Sequence, residues 1–185
     1  LGPIGIDTAR RAAARGYELV GAVDIDPALS GRSLGEVLGA DVAGQVVGSV
    51  EEALEAFSVD AALVTTISDL DKVVPGCETL LNGGVAVVST CEEMAYPWWT
   101  QPEASARLDE AGKAGGVACL GTGINPGFVL DLLPVLVSAP LDRVESVHAW
   151  RVVDAGKRRG PLQRKVGAGL TEAEFQSRVE GGGFG

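Results

Sequence analysis

Short apolar runs alternate with stretches of helical character along the chain. The runs have the length and near-continuous hydrophobicity of strands buried on both faces, and they cover residues 18–24, 60–66, 85–90 and 117–120, with a shorter candidate at 45–48. The helical stretches between and after them cover residues 4–16, 50–57, 69–83, 102–114 and 128–137, and residues 29–38 form either a short helix or a loop. This alternation predicts an α/β fold with a Rossmann-type doubly wound parallel sheet and right-handed crossovers.

Capping residues set the expected helix ends. Ser49 and Ser68 are predicted N-caps, and Gly16 and Gly39 are predicted to close the helices before them. Pro75 falls inside a helical stretch, which it either tolerates or breaks.

The pattern changes character at Pro140. Residues 142–153 alternate as a half-exposed strand, a basic glycine-rich stretch follows at 157–165, and Thr171 and Glu174 form a capping box for a helix. We therefore expect a dinucleotide-binding domain at 1–138 and, at 139–185, the beginning of a second α/β domain with a mixed sheet.

The start of the chain carries the clearest candidate chemistry. Gly2 and Gly5 stand three apart at a helix start, and Asp24 follows Gly2 by 22 residues at a strand end. This spacing matches the second half of a G-x-G-x-x-G dinucleotide motif, so the first glycine and first strand are expected upstream of Leu1. Gly2, Pro3, Ile4 and Gly5 would hold the pyrophosphate, and Asp24 the ribose hydroxyls. The alternative is an ordinary loop entering a helix.

The choice of cofactor, NAD or NADP, stays open at this point. Asp24 favours NAD because its charge would repel a 2′-phosphate, whereas Arg32, a short loop away, would compensate for that repulsion.

Polar residues follow three of the predicted strands, where ligands bind in open α/β sheets. Thr65, Thr66 and Ser68 would line the cofactor, or merely begin a helix. After residues 117–120, Asn125 would form a hydrogen bond with the nicotinamide carboxamide, and Phe128 would pack against the nicotinamide ring.

Two carboxylates come directly after the run at residues 85–90. Partial shielding of Glu92 and Glu93 by Tyr96, Trp98 and Trp99 would suit a general base, or a group that holds an ammonium ion. The alternatives are a solvated charge pair, and aromatic side chains that only pack in the core.

Composition excludes several classes of partner. A net charge of −10 over 185 residues argues against nucleic acid and anionic membranes. No apolar window of membrane-spanning length and no signal peptide is visible, and three scattered cysteines are typical of reduced cytoplasmic thiols. With His148 as the sole histidine, we expect no metal site and assign that residue a structural or interface role.

Three motifs, at residues 88–97, 121–128 and 158–169, together resemble the 2,4-diaminopentanoate dehydrogenase family, which includes native amine dehydrogenases and is related to dihydrodipicolinate reductase. The resemblance covers almost the whole chain. It implies an NAD(P)-dependent oxidoreductase acting on the CH–NH2 group of a small amine, or making that amine from a ketone and ammonia.

The resemblance also implies residue roles and an assembly. Glu92, with Glu93 second, would be the catalytic acid/base, Cys91 would line the cofactor, and the full-length protein would be a homodimer. The 185 residues alone are not expected to be active. Two alternatives are a C=N reductase, for which the basic residues at 157–165 are the only candidate carboxylate binders, and a non-catalytic dinucleotide-binding module.

Overall fold

A computed structural model describes residues 1–158 and 160–182. The chain divides into two compact units, residues 1–144 and 145–185. The sheets, and the candidate catalytic and cofactor-binding residues named above, lie in the first unit, whereas the basic stretch at 157–165 lies in the second. The predicted domain limits at 138 and 139 stay a prediction.

Five strands of the first unit pair in parallel in two sheets. One sheet pairs β1 (Gly21–Val23) with β2 (Gln45–Val47). The other has the order β3 (Ala61–Val64), β4 (Ala86–Ser89), β5 (Cys119–Gly121). Parallel pairing with a helix between successive strands confirms the predicted Rossmann-type α/β class.

Helices connect these strands. In the first unit they are α1 (Pro3–Ala14), α2 (Leu34–Leu38), α3 (Val50–Ala56), α4 (Leu70–Asn82), α5 (Pro97–Thr100), α6 (Pro102–Gly115) and α7 (Leu133–Ser138). A 3₁₀ turn covers Glu92–Met94. A π-helical segment covers Ile124–Leu132 and has a kink at Asn125, Pro126 and Gly127, whose backbone angles are not helical. The second unit contains a 3₁₀ turn at Ala155–Lys157, α8 (Gly160–Lys165) and α9 (Glu172–Glu180).

Most predicted helix ends are confirmed. The Ser49 hydroxyl accepts a hydrogen bond from the Glu52 amide at 3.1 Å. Gly16 and Gly39 close α1 and α2 with φ of 86° and 60°, a backbone region that favours glycine. Thr171 and Glu174 form the capping box, and α4 continues through Pro75.

The predicted cap at Ser68 is wrong. Asp69 caps α4, and its carboxylate accepts the Lys72 amide at 3.3 Å and pairs with the Lys72 ammonium at 2.6 Å. The helix starts one residue later than predicted, so the Ser68 side chain stands too far from the first free amides to cap them.

The apolar helix expected at 128–137 is confirmed as helical: the end of the π-helical segment continues directly into α7, and Pro134 lies in the first turn of α7. One predicted element differs more strongly. The strand expected at 142–153 is wrong, because none of these residues is in a strand. A strand needs a hydrogen-bonded neighbour, and the described part of the second unit offers none. Within that segment the rings of His148 and Trp150 stack with centroids 5.9 Å apart.

The main core lies where α4 and α6 cover the β3–β4–β5 sheet. Its most buried side chains come from α4, β4 and the segments beside them, and include Leu70, Val74, Cys77, Leu81, Val85 and Val87. A smaller core joins Leu34 and Leu38 of α2 to Val46 of β2. Gly115 lets α6 approach α4 closely, since an added Cβ would overlap the Leu81 carbonyl oxygen.

This close approach predicts a contrast between two helical glycines. Gly115→Ala should destabilise the fold by about 1–3 kcal/mol through overpacking. Gly76→Ala is the matched control, because its Cβ would meet Val50 at an ordinary 3.8 Å, and it should gain up to about 1 kcal/mol of helix propensity. Urea unfolding measures both, and equal effects would contradict the packing account.

The buried thiol of Cys77 predicts a pH dependence of stability. The side chain is 1% exposed, and burial raises its pKa from 9.0 to about 12. Between these values the unfolded chain loses the proton and the folded chain keeps it. The free energy of unfolding should therefore fall as pH rises, by up to about 1.4 kcal/mol per pH unit from this group.

Cys77→Ala removes this contribution. Urea unfolding at pH 8, 9 and 10 should show a shallower decline for the variant than for the unaltered protein. Identical slopes would mean that the thiol does not titrate differently in the two states.

Candidate functional site

The carboxyl ends of β3, β4 and β5 are hydrogen-bonded to one another. The Thr90 amide donates to the Val64 carbonyl at 3.0 Å, and the Thr122 amide donates to the Ser89 carbonyl at 2.8 Å. Three loops with predicted site residues therefore begin side by side at one edge of the sheet.

The start of α1 reaches the same edge through Gly5. This glycine is buried, and an added Cβ would lie 3.0 Å from Thr65 Oγ1 and 3.6 Å from Leu1 Cδ2. Gly2 is the N-cap, and a Cβ there would have nothing within 4 Å. One glycine is thus required for close packing and the other faces open space, as the motif predicts.

The same helix start leaves donors free for an anion. Pro3 is the first helical residue and has no N–H, so the first available amides belong to Ile4 and Gly5. The first bond within the helix runs from the Ile6 amide to the Gly2 carbonyl at 3.0 Å. The arrangement fits an anion at the helix N-terminus.

Asp24 follows β1 directly. One carboxylate oxygen accepts the Asp26 amide at 2.9 Å, and the other lies beside the amino nitrogen of Leu1. The Arg32 guanidinium lies 4.0 Å from the Glu36 carboxylate, at the outer limit of an ion pair, and forms no ion pair with Asp24.

The residues after β3 have different environments. The Thr65 hydroxyl faces Gly5, whereas Thr66 and Ser68 are exposed. The Ser68 carbonyl oxygen accepts a hydrogen bond from Cys91 Sγ at 3.2 Å. The loops that follow β3 and β4 are therefore joined beyond the sheet as well as within it.

Cys91 is anchored in the core. Its side chain is 2% exposed, and its amide donates to Ser89 Oγ at 3.1 Å. Burial raises the pKa of its thiol, which keeps the group protonated near neutral pH. The Cys91 carbonyl in turn accepts the Met94 amide at 3.1 Å, so the backbone and the thiol of this residue are both bonded within the protein.

The two neighbouring glutamates differ sharply in their contacts. One Glu93 carboxylate oxygen accepts the Leu70 amide and Gln101 Nε2, each at 2.8 Å. Glu92 is exposed, and its carboxylate accepts no hydrogen bond from the residues that the structure describes. Both glutamates are exposed, so the difference between them lies in these hydrogen bonds.

The aromatic shield expected around these acids is wrong. Tyr96, Trp98 and Trp99 are 72%, 54% and 86% exposed, so they neither enclose the carboxylates nor pack in the core. The cause is α5, a four-residue helix at the surface, in which Pro97 is the buried residue.

The loop after β5 brings Asn125 to the same sheet edge. Asn125 is half-buried with φ −163°, and Gly127 adopts φ 122° while its amide donates to the Asp131 carboxylate at 2.7 Å. Phe128 is partly exposed. These positions are compatible with the expected contacts to a flat ring, which stay a prediction.

Sequence reasoning missed two supporting residues. Gly121 ends β5 so close to the 3₁₀ turn after β4 that an added Cβ would overlap the Met94 carbonyl; a glycine at a strand end is the signal that could have shown this. Gln101, the partner of Glu93, stands eight residues along the chain and carries no motif of its own.

The basic stretch of the second unit contacts its own backbone. Gln163 Nε2 donates to the Gly156 and Arg158 carbonyls at 2.8 and 2.7 Å, and Lys157 lies 3.8 Å from Asp154. Residue 159 of this stretch lies outside the described residues.

No described helix is both long and apolar enough to span a bilayer.

Comparison with known proteins finds similarity to two enzymes that are named as dehydrogenases, although no protein-family model matches. The 2,4-diaminopentanoate dehydrogenase of Acetoanaerobium sticklandii is 33% identical over 137 residues, which make up 74% of this chain and 39% of that protein. The solved amine dehydrogenase of Mycobacterium smegmatis matches with a TM-score of 0.71 and 28% identity, over 95% of this chain and 52% of that one.

Both comparisons support the resemblance to the 2,4-diaminopentanoate dehydrogenase and native amine dehydrogenase family that the three motifs indicate. The chain spans about half the length of these relatives, or less.

Proposed function

We propose that these 185 residues are part of an NAD(P)-dependent amine dehydrogenase that acts on the CH–NH2 group of a small amine. The observation that carries the proposal is the state of Glu92. Its carboxylate is exposed, accepts no hydrogen bond from the described residues, and follows a strand at the sheet edge where α1 also begins. The names of the two relatives support the same reaction class. A non-catalytic module that only senses the dinucleotide would need the residues that bind its phosphates, but it would not need this acid.

The residues fit a nicotinamide dinucleotide. The open backbone at Gly2 and the free amides of Ile4 and Gly5 would hold the pyrophosphate, and Asp24 would accept the ribose hydroxyls. Thr65, Thr66, Ser68, Cys91 and Asn125 would line the remainder. When bound, the cofactor supplies the hydride acceptor or donor.

Glu92 would exchange a proton with the substrate and stabilise the positive charge of its carbon–nitrogen group. In oxidation its carboxylate takes a proton from the substrate ammonium and then faces the cationic carbon–nitrogen double bond, which water converts to ketone and ammonia. In the reverse direction the same group returns the proton to the new amine.

We also propose that a strand before Leu1 completes the sheet. Among the described strands, β1 and β3 each have one hydrogen-bonded neighbour. The Leu1 nitrogen lies beside Asp24, after β1, while Gly5 lies beside Thr65, after β3. A strand that leads into Leu1 would therefore lie between β1 and β3, as the first strand of a dinucleotide-binding sheet does. The relatives' greater length supports this and a larger second domain.

Assembly and location follow from the same resemblance. We propose a homodimer for the full-length enzyme, with ammonia and a small amine or ketone as substrates. Three free cysteines favour the cytoplasm.

Glu92→Gln tests the reaction assignment in the full-length enzyme. Amine-dependent reduction of NAD or NADP, followed at 340 nm over a panel of short aliphatic amines, should lose about 10²–10⁴-fold in kcat/KM. Glu103→Gln, an exposed acid in the first turn of α6, is the control and should keep its activity. Unchanged turnover in Glu92→Gln would refute the proposed role.

Asp24→Ser tests the ribose assignment. Removing a charge that would face a 2′-phosphate should lower the kcat/KM ratio of NAD to NADP by about tenfold or more, since like charges at close range repel by about 1–4 kcal/mol. Asp41→Ser, in an exposed loop before β2, should leave the ratio unchanged. An unchanged ratio in Asp24→Ser would place the ribose elsewhere.

A further inference from the structure

One carboxylate of the 3₁₀ turn connects three segments of the fold. Glu93 Oε2 accepts the amide of Leu70, the first residue of α4, and Nε2 of Gln101, the residue before α6. Both distances are 2.8 Å. The turn after β4 is thereby fixed to the start of the two helices that cover the sheet.

The contact with α4 satisfies a group that the helix cannot. Leu70 is fully buried, and the amides of the first helical turn have no partner within the helix. Asp69 accepts the Lys72 amide, which leaves the Leu70 amide to Glu93. A negative charge is also favoured at a helix N-terminus.

A second contact fixes the same turn on the other side of Glu92. Cys91 Sγ donates to the Ser68 carbonyl at 3.2 Å, and the Cys91 amide donates to Ser89 Oγ at 3.1 Å. Glu92 therefore stands between two residues that are both held by the protein, while its own carboxylate accepts no hydrogen bond from the described residues.

Resting on the function proposed above, we infer that Glu93 is a positioning residue, which holds the turn that carries Glu92 at the carboxyl edge of the sheet by joining it to α4 and Gln101. Glu92 is the acid that exchanges protons with the substrate. The two roles are not interchangeable, because an acid that must accept the Leu70 and Gln101 donors is not free to meet an ammonium ion.

The hydrogen bonds of Glu93 give the role a specific signature in the full-length enzyme. Glu93→Ala removes both bonds, and it should lower kcat by about tenfold to a hundredfold while KM changes little, as expected for a displaced catalytic group. Glu93→Gln keeps an oxygen that accepts the same two donors, so it should stay within about threefold of the unaltered enzyme. A proton-transferring Glu93 would instead lose as much activity with Gln as with Ala.

A double variant tests whether Glu93 acts through Glu92. Once Glu92→Gln has removed the proton-transferring group, adding Glu93→Ala should cost little further activity, because residues that work as a unit are not additive. Thermal unfolding of the same proteins should show a lower Tm for Glu93→Ala than for Glu93→Gln. Glu103→Ala, also in a first helical turn, should keep kcat and should lower Tm less than Glu93→Ala does, because it loses only the favourable interaction with the helix N-terminus.

The outcomes separate this inference from the proposed function. If the unaltered enzyme oxidises no amine, the proposed function fails, and the role of Glu93 fails with it. If the enzyme is active but Glu93→Gln is as impaired as Glu93→Ala, or the losses multiply in the double variant, only the positioning role is overturned.

Discussion

Parallel pairing of β3, β4 and β5, with backbone hydrogen bonds continuing one step past the strands, is the constraint on which the rest of the site depends. Thr90 and Thr122 extend the ladder to Val64 and Ser89. Parallel strands deliver every following loop to the same edge. Thr65 and Asn125 are 60 positions apart in the sequence, yet they lie along the same edge of the sheet for that reason.

Features that depend on a few adjacent residues could be predicted from the sequence. The alternation of apolar runs gave the α/β class, and Ser49, Gly16 and Gly39 act as expected because capping and positive φ are local matters. Features that depend on distant partners could not. The alternating segment at 142–153 has no strand beside it among the described residues, and Trp99 lies on a surface helix.

The adjacent glutamates show why the candidate site could be predicted only in part. Sequence placed two acids after a buried strand, but their difference arises from the amide of Leu70, 23 residues earlier, and the side chain of Gln101, eight residues later. Cys91 is similar: its position at the edge of the sheet, directly after a strand, was predictable, whereas the direction of its thiol depends on the Ser68 carbonyl. Side-chain direction in a short turn is a tertiary property.

Gly121 sets a lower limit on how far β5 stands from the turn that carries Glu92, since the Met94 carbonyl occupies the space of a side chain. Any side chain at this position would push the strand and the turn apart, so their spacing depends on a missing methyl group. Redesign of this part of the surface is therefore less constrained at the exposed rings of Trp98 and Trp99 than at this glycine.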